Sequence, residues 1–116
     1  YDGTTENNLI AKAVASQIGW EPSNVTPGIG TVGNNPETNN SSGFNAHPIG
    51  LRRISTFLGE AFFTNTSRTT CFWSSTEAET FNEANHHHIS YNYSVFRGNT
   101  DFLEKQNGYS VRLVKD

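Results

Sequence analysis

A single cysteine, Cys71, stands in this chain, and no apolar stretch approaches the roughly 20 residues that a helix needs to cross a bilayer. The first scarcity excludes an internal disulfide and any all-cysteine metal cluster. The second excludes a membrane-spanning helix, and the first residues show no basic-then-apolar signal pattern. Basic side chains are also few. The eight are Lys12, Arg52, Arg53, Arg68, Arg97, Lys105, Arg112 and Lys115, so scattered that no stripe exists to follow a phosphate backbone. With a formal net charge of -3, nucleic acid is not an expected partner.

What fills the chain instead is short polar side chains. Asn, Thr and Ser number 14, 13 and 11 among 116 residues. These residues compete with the backbone for hydrogen bonds and favour turns and caps over helix interiors, so much irregular surface is expected. The length suits one domain, or part of one, with a modest core. The Lys-poor, Asn/Ser/Thr-rich composition leans toward an exported protein.

Three zones follow one another. From Asn8 to Trp20 the apolar residues Leu9, Ile10, Ala13, Val14 and Ile18 recur at helical spacing. This predicts an N-terminal amphipathic helix, capped by Thr4, Thr5 or Asn7 and ended at Gly19. Between Glu21 and Ser42, three prolines, three glycines and two Asn-Asn pairs predict a long loop. After Gly43 come brief aromatic or β-branched runs: Phe44 with Ala46, Ala61 to Phe63, Cys71 to Ser74, His88 to Tyr93, and Tyr109 to Val114. In the last run Tyr109, Val111 and Leu113 alternate with Ser110, Arg112 and Val114, which predicts a strand with one buried face.

Candidate chemistry is sparse. Ser74 and Ser75 share the sequence with four histidines, but no glycine-flanked nucleophile elbow surrounds them. Cys71 precedes Phe72 and Trp73 in a run that reads as buried, where a free thiol behaves as a small hydrophobe. In the triplet His86-His87-His88 a strand would put His86 and His88 on one face, as an H-x-H metal pair requires, with Glu83 or His47 as a third ligand. The surrounding spacing matches no known metal site, and a solvated strand face is the simpler reading. Five Asn-x-Ser/Thr matches begin at Asn24, Asn39, Asn40, Asn65 and Asn92, as this composition produces by chance. Gly28, Gly30 and Gly33 have the G-x-G-x-x-G spacing, but Pro27 and Asn34-Asn35-Pro36 preclude its strand-then-helix setting.

Four segments in order carry a resemblance. They are Leu-Ile-Ala-Lys-Ala-Val-Ala-Ser followed by Gly-Trp, the stretch from Gly33 to Arg52 containing Asn-Asn-Ser-Ser-Gly-Phe-Asn-Ala-His-Pro-Ile-Gly-Leu-Arg, then Phe72-Trp73-Ser74-Ser75-Thr76-Glu77, and Gly108-Tyr-Ser-Val-Arg-Leu-Val-Lys-Asp116. From about Leu9 to Asp116 the chain resembles the Fibrobacter succinogenes major paralogous domain. The resemblance implies an exported or surface-associated bacterial protein, often a lipoprotein of gut bacteria. It also implies an α+β, C-type lectin-like fold of one N-terminal helix, short antiparallel strands and long loops, and brings no established catalytic activity with it. Family members usually carry a cysteine where this chain has Leu113, and a Cys-Pro-x-Gly-Trp-His-Leu-Pro segment that here would precede Tyr1. Residues 1–116 are thus expected to be the C-terminal portion of a single such domain.

On this reading the chain is an extracellular or cell-surface recognition module, not an enzyme. Loops around Tyr91, Tyr93, Arg97 and Asn99 would meet a glycan or protein ligand. The alternative is a structural or anchoring module of a surface lipoprotein or adhesin, without its own ligand. Trp73, Ser75 and Glu77 are assigned to scaffold: one aromatic of Phe72-Trp73 faces the core, the hydroxyls serve backbone groups, and Glu77 pairs with Arg52 or Arg112. No cofactor or metal is expected. The Trp-Asn-Asp and Glu-Pro-Asn motifs of calcium-dependent lectins are missing, Glu21-Pro22-Ser23 matching only half of the second. Without the domain's first half, the terminal strand is expected to leave an unpaired edge and to drive self-association or pairing with an N-terminal fragment.

Overall fold

The computed structural model of the chain describes residues 10–55, 57–98 and 104–113. Five strands dominate it. β1 (Leu51–Ile54) pairs antiparallel with β2 (Ala61–Thr64), and β3 (Thr69–Glu77), β4 (Ala84–Ser90) and β5 (Arg97–Gly98) form a second antiparallel sheet in the order β3-β4-β5. Helix is confined, among the described residues, to α1 (Ile10–Val14) and a 3-10 turn at Pro36–Thr38. No helix there is long and apolar enough to cross a membrane.

The expected α+β, C-type lectin-like architecture is therefore overturned: among the described residues strand far outweighs helix, and no amphipathic helix forms. Asn8 and Leu9 lie outside the described residues. The rest of the anticipated helix stops after five residues because its last carbonyls are claimed by another segment. The amides of Asn40, Ser42 and Ala46 donate to the carbonyls of Lys12, Ala13 and Val14 at 2.8–3.0 Å, and Ser16 N–H turns to Ala46 O at 2.8 Å. Carbonyls at a helix end need partners, and here the partners are loop amides rather than a further turn. Burial does not follow the predicted apolar stripe. Ala11 and Ala15 are fully buried, which lets the 40–46 backbone come close, whereas Ile18 is 68% exposed.

The segment 21–42, expected as a long loop, is an ordered layer rather than a strand or helix. Lys12 is buried, and its ammonium donates to the carbonyls of Asn34 (2.5 Å), Asn35 (3.2 Å) and Thr31 (3.5 Å). Buried Asn39 donates from Nδ2 to Ser16 O and Val32 O. Val32 and Gly33 amides bond to Tyr93 O and Tyr91 O, docking this layer beside the sheet. Gly33 is required where it stands, since a Cβ there would lie 2.3 Å from Glu21 O. The core between layer and sheet is small: Ala11, Ala15, Trp20, Val32, Ala46 and Ile89, with Val14, Phe44, Phe72, Tyr91 and Phe96 packed against it.

The terminal run also departs from expectation. Residues Tyr109 to Leu113 make no strand, Val111 and Leu113 are 71% and 91% exposed, and Val114 lies outside the described residues. Gly108–Ser110 instead forms a seam between the two sheets. Gly108 and Arg52 exchange both backbone hydrogen bonds at 2.9 and 3.0 Å, while Ser110 O accepts from Trp73 N and Ser110 N donates to Cys71 O. Within the run expected as an open edge, Ser110 is thus paired inside the chain, whereas Val111 and Leu113 are exposed. Gly50, with φ of 76°, begins β1 against β3, its amide donating to Thr69 O at 2.8 Å.

Replacing Lys12 with Met leaves three carbonyls without their charged donor. A hydrogen bond to a charged group contributes roughly 1.5–3 kcal/mol, and water can reach part of the site once the ammonium is gone. Lys12→Met is expected to lower the unfolding free energy by about 2–4 kcal/mol in urea titrations. A shift under about 0.5 kcal/mol would mean that the 31–35 turn holds itself.

Candidate functional site

Alternation along β3 and β4 divides the larger sheet into two unlike faces. Thr70, Phe72 and Ile89 point to the core, with Phe72 edge-on to Phe44 at 5.5 Å between centroids. The opposite face carries Thr69, Cys71 and Trp73, opposite Ser90, His88 and His86 of β4 in register, and Arg97 of β5 opposite His88. Leu51 and Arg53 of β1 flank this face from one side, and Tyr109 of the seam covers part of it. All of these but Trp73 line an open cleft of about 320 Å³, completed by Asn65 and by Tyr93 beside Arg97.

The cleft is polar at its rim and aromatic in its walls. The Arg97 guanidinium lies over the Tyr93 ring at 4.0 Å, a cation–π contact. Tyr109 stacks on Trp73 at 4.3 Å and sits 5.0 Å from the His86 ring. Burial lowers the His86 pKa, helped by His87. At His88 burial again leads, followed by His86, Arg97 and His87. Both imidazoles are therefore neutral at pH 7. The Tyr109 phenol is pushed up to about 12, chiefly by burial and then by Cys71, with Arg53 opposing and Glu104 adding.

The anticipated site residues separate. Tyr93 and Arg97 stand together at the cleft and also border a neighbouring groove along Val25 to Thr31. Tyr91 packs against the core, with Arg68 above its ring at 5.9 Å. Asn99 lies outside the described residues. Of the scaffold trio, Trp73 is half-buried against Tyr109, while Ser75 and Glu77 are exposed at the far end of β3. Phe72, not Trp73, is the aromatic that meets the core. Glu77 pairs with neither expected arginine: Arg52 donates to Gln106 O, and Arg112 lies over the Phe44 ring at 4.4 Å. Ser74 Oγ does serve the backbone, accepting from Thr76 N–H.

Arg53, Asn65 and Tyr109 reach the cleft without having been singled out from sequence. Arg53 shares the alternation of Leu51, a signal readable along β1, but the approach of β1 to β3 rests on the long-range contacts of Gly50 and of the seam.

Ser74 and Ser75 border a different groove with Glu77, Glu79, Glu83 and Lys105, while His86 and His88 line the cleft. Among the described residues no three His, Cys, Asp or Glu side chains converge to hold a metal. Glu83 accepts from Thr80 Oγ1, and His47 sits exposed beside Asn45. A scan against models of known families and searches of curated proteins and of solved structures find no match.

Cys71 is 5% exposed and burial raises its pKa to about 12, so the thiol is protonated at the cleft floor. Native protein is expected to resist iodoacetamide at pH 8 and to react fully in denaturant; rapid native alkylation would reveal an accessible thiolate.

The two neutral histidines also make stability pH-dependent. Below about pH 6.5 the unfolded chain binds protons that the folded chain refuses at His86 and His88, because their folded pKa values are lowered. The unfolding free energy is expected to fall as pH drops from 7.5 toward 5. Replacing both with Gln should flatten that slope, as measured by denaturant midpoints across the pH series.

Proposed function

We propose that the chain is a non-enzymatic recognition module of an exported bacterial surface protein, related to the Fibrobacter succinogenes major paralogous domain, and that it binds a glycan in the Tyr93–Arg97 cleft. The observation that supports this reading is the cleft itself. The aromatic rings of Tyr93 and Tyr109 share its lining with the planar hydrogen-bonding groups of Arg53, Asn65 and Arg97, in a concavity near the lower end of ligand-pocket size, about 300 Å³. Sugars present apolar ring faces and dense hydroxyls, and such walls meet both. The buried, protonated thiol and the separation of Ser74 and Ser75 from the cleft histidines give little support to nucleophilic chemistry.

A glycan array probed with the labelled chain tests the reading. Tyr and Arg anchors commonly cost more than about 1 kcal/mol when truncated. Tyr93→Ala and Arg97→Ala, both at exposed positions, are expected to weaken captured signals about tenfold with little change in melting temperature. Silence across the array, or binding indifferent to both variants, would overturn it.

The β1–β2 hairpin favours a second reading. Phe57, Leu58 and Phe63 are 93%, 66% and 80% exposed there, a concentration of large apolar side chains suited to packing against another part of a surface assembly. In that case the chain acts as a structural or anchoring module.

A further inference from the structure

We propose that the cleft selects an acidic sugar, a hexuronic acid unit within an oligosaccharide, with its carboxylate held between Arg53 and Arg97. This rests on the glycan reading above and names its ligand class. The lining of the cleft contains two guanidinium groups, one from β1 and one from β5, two imidazoles, and no carboxylate among the described residues. That sign runs against the chain as a whole, whose formal charge is -3. Locally concentrated positive charge in a concave, partly desolvated site acts on a ligand more strongly than the same charge on a flat surface.

Both arginines line the cleft and are near enough to its floor to act on it, although Glu104 acts on Tyr109 in the opposite sense. Arg97 opposes protonation of His88, and Arg53 favours ionisation of the Tyr109 phenol. A guanidinium matches a carboxylate through two parallel N–H donors, a geometry that a neutral hydroxyl cannot reproduce. The rest of the lining suits a sugar ring: two tyrosines, Tyr93 and Tyr109, and neutral imidazoles that can donate to or accept from hydroxyls. An acidic peptide would supply carboxylates too, but it would make little use of two aromatic rings in a cavity of about 320 Å³. The Tyr93–Arg97 wall also borders the groove along Val25 to Thr31. A neighbouring sugar unit can therefore cross that wall, so an oligomer should bind better than a monomer.

Titration calorimetry with trigalacturonate, the neutral trisaccharide galactotriose, and triglutamate decides the matter. Trigalacturonate is expected to bind at least tenfold more tightly than galactotriose, to weaken as salt rises from 50 to 300 mM, and to lose about ten- to a hundredfold in affinity in Arg97→Gln. Arg53→Gln should cause a comparable loss. Because Arg53 is half-buried, its far-ultraviolet circular dichroism and melting temperature are measured alongside, and the exposed Arg97 carries the decision if Arg53→Gln unfolds. Equal binding of the neutral and acidic trisaccharides, both sensitive to Tyr93→Ala, would overturn the acidic preference and leave the glycan reading standing. Triglutamate binding as tight as trigalacturonate would overturn the sugar assignment. Binding of none of the three, together with a silent glycan array, would overturn both.

Discussion

Competition for the carbonyls at the end of α1 governs how this molecule is built. Those of Lys12, Ala13 and Val14 could have accepted from the next helical turn, yet they accept from Asn40, Ser42 and Ala46. Once they do, the helix ends, segment 40–46 lies against Ala11 and Ala15, and the intervening loop is short enough of slack for the Lys12 ammonium to gather the carbonyls of Thr31, Asn34 and Asn35. Backbone hydrogen bonding between irregular segments thereby replaces regular secondary structure on one side of the core. That suits a chain so rich in Asn, Ser and Thr, whose side chains pair readily with local backbone groups.

The consequence for the sheet is a division of labour between its faces. The irregular layer covers only the side bearing Thr70, Phe72 and Ile89, so the opposite side keeps its polar row of Cys71, His88 and Arg97 across three strands. A face with no layer over it becomes a site when something walls it. β1 supplies Arg53, and the seam supplies Tyr109. The pKa shifts at His86, His88, Cys71 and Tyr109 have burial as their leading cause, which marks the floor of the cleft as shielded although its mouth is open.

Much of the strand content was readable from sequence, because aromatic and β-branched runs such as Cys71 to Ser74 and Ala61 to Phe63 lie inside β3 and β2. The alternation that puts His86 and His88 on one face was readable for the same reason. The helix was misread because periodicity records which residues are apolar and is blind to which amides compete for their carbonyls; it favoured Ile18, which is exposed, over the small Ala11 and Ala15 that permit close packing. Alternation from Tyr109 to Leu113 misled in a similar way, since pairing ends at Ser110 and nothing covers Val111. At the site, Tyr93 and Arg97 are near neighbours in sequence and could be suspected together. Arg53 and Tyr109 could not, for their approach is a property of the seam, and a long-range backbone pairing leaves no periodic trace in the segment that makes it.

The seam also sets an order of events. β1 with β2, and β3 with β4, are hairpin pairs whose partners are close in sequence, so each can form by local closure. The bonds that Gly108 exchanges with Arg52, and Ser110 with Cys71 and Trp73, join residues far apart along the chain and carry a larger loop-closure cost. The two hairpins already meet where Gly50 donates to Thr69 O, and the distant segment then adds the second link between the two sheets. Until Tyr109 arrives with it, the polar face of β3 and β4 is an open plane rather than a cleft, and the concavity is among the last features the folding chain acquires.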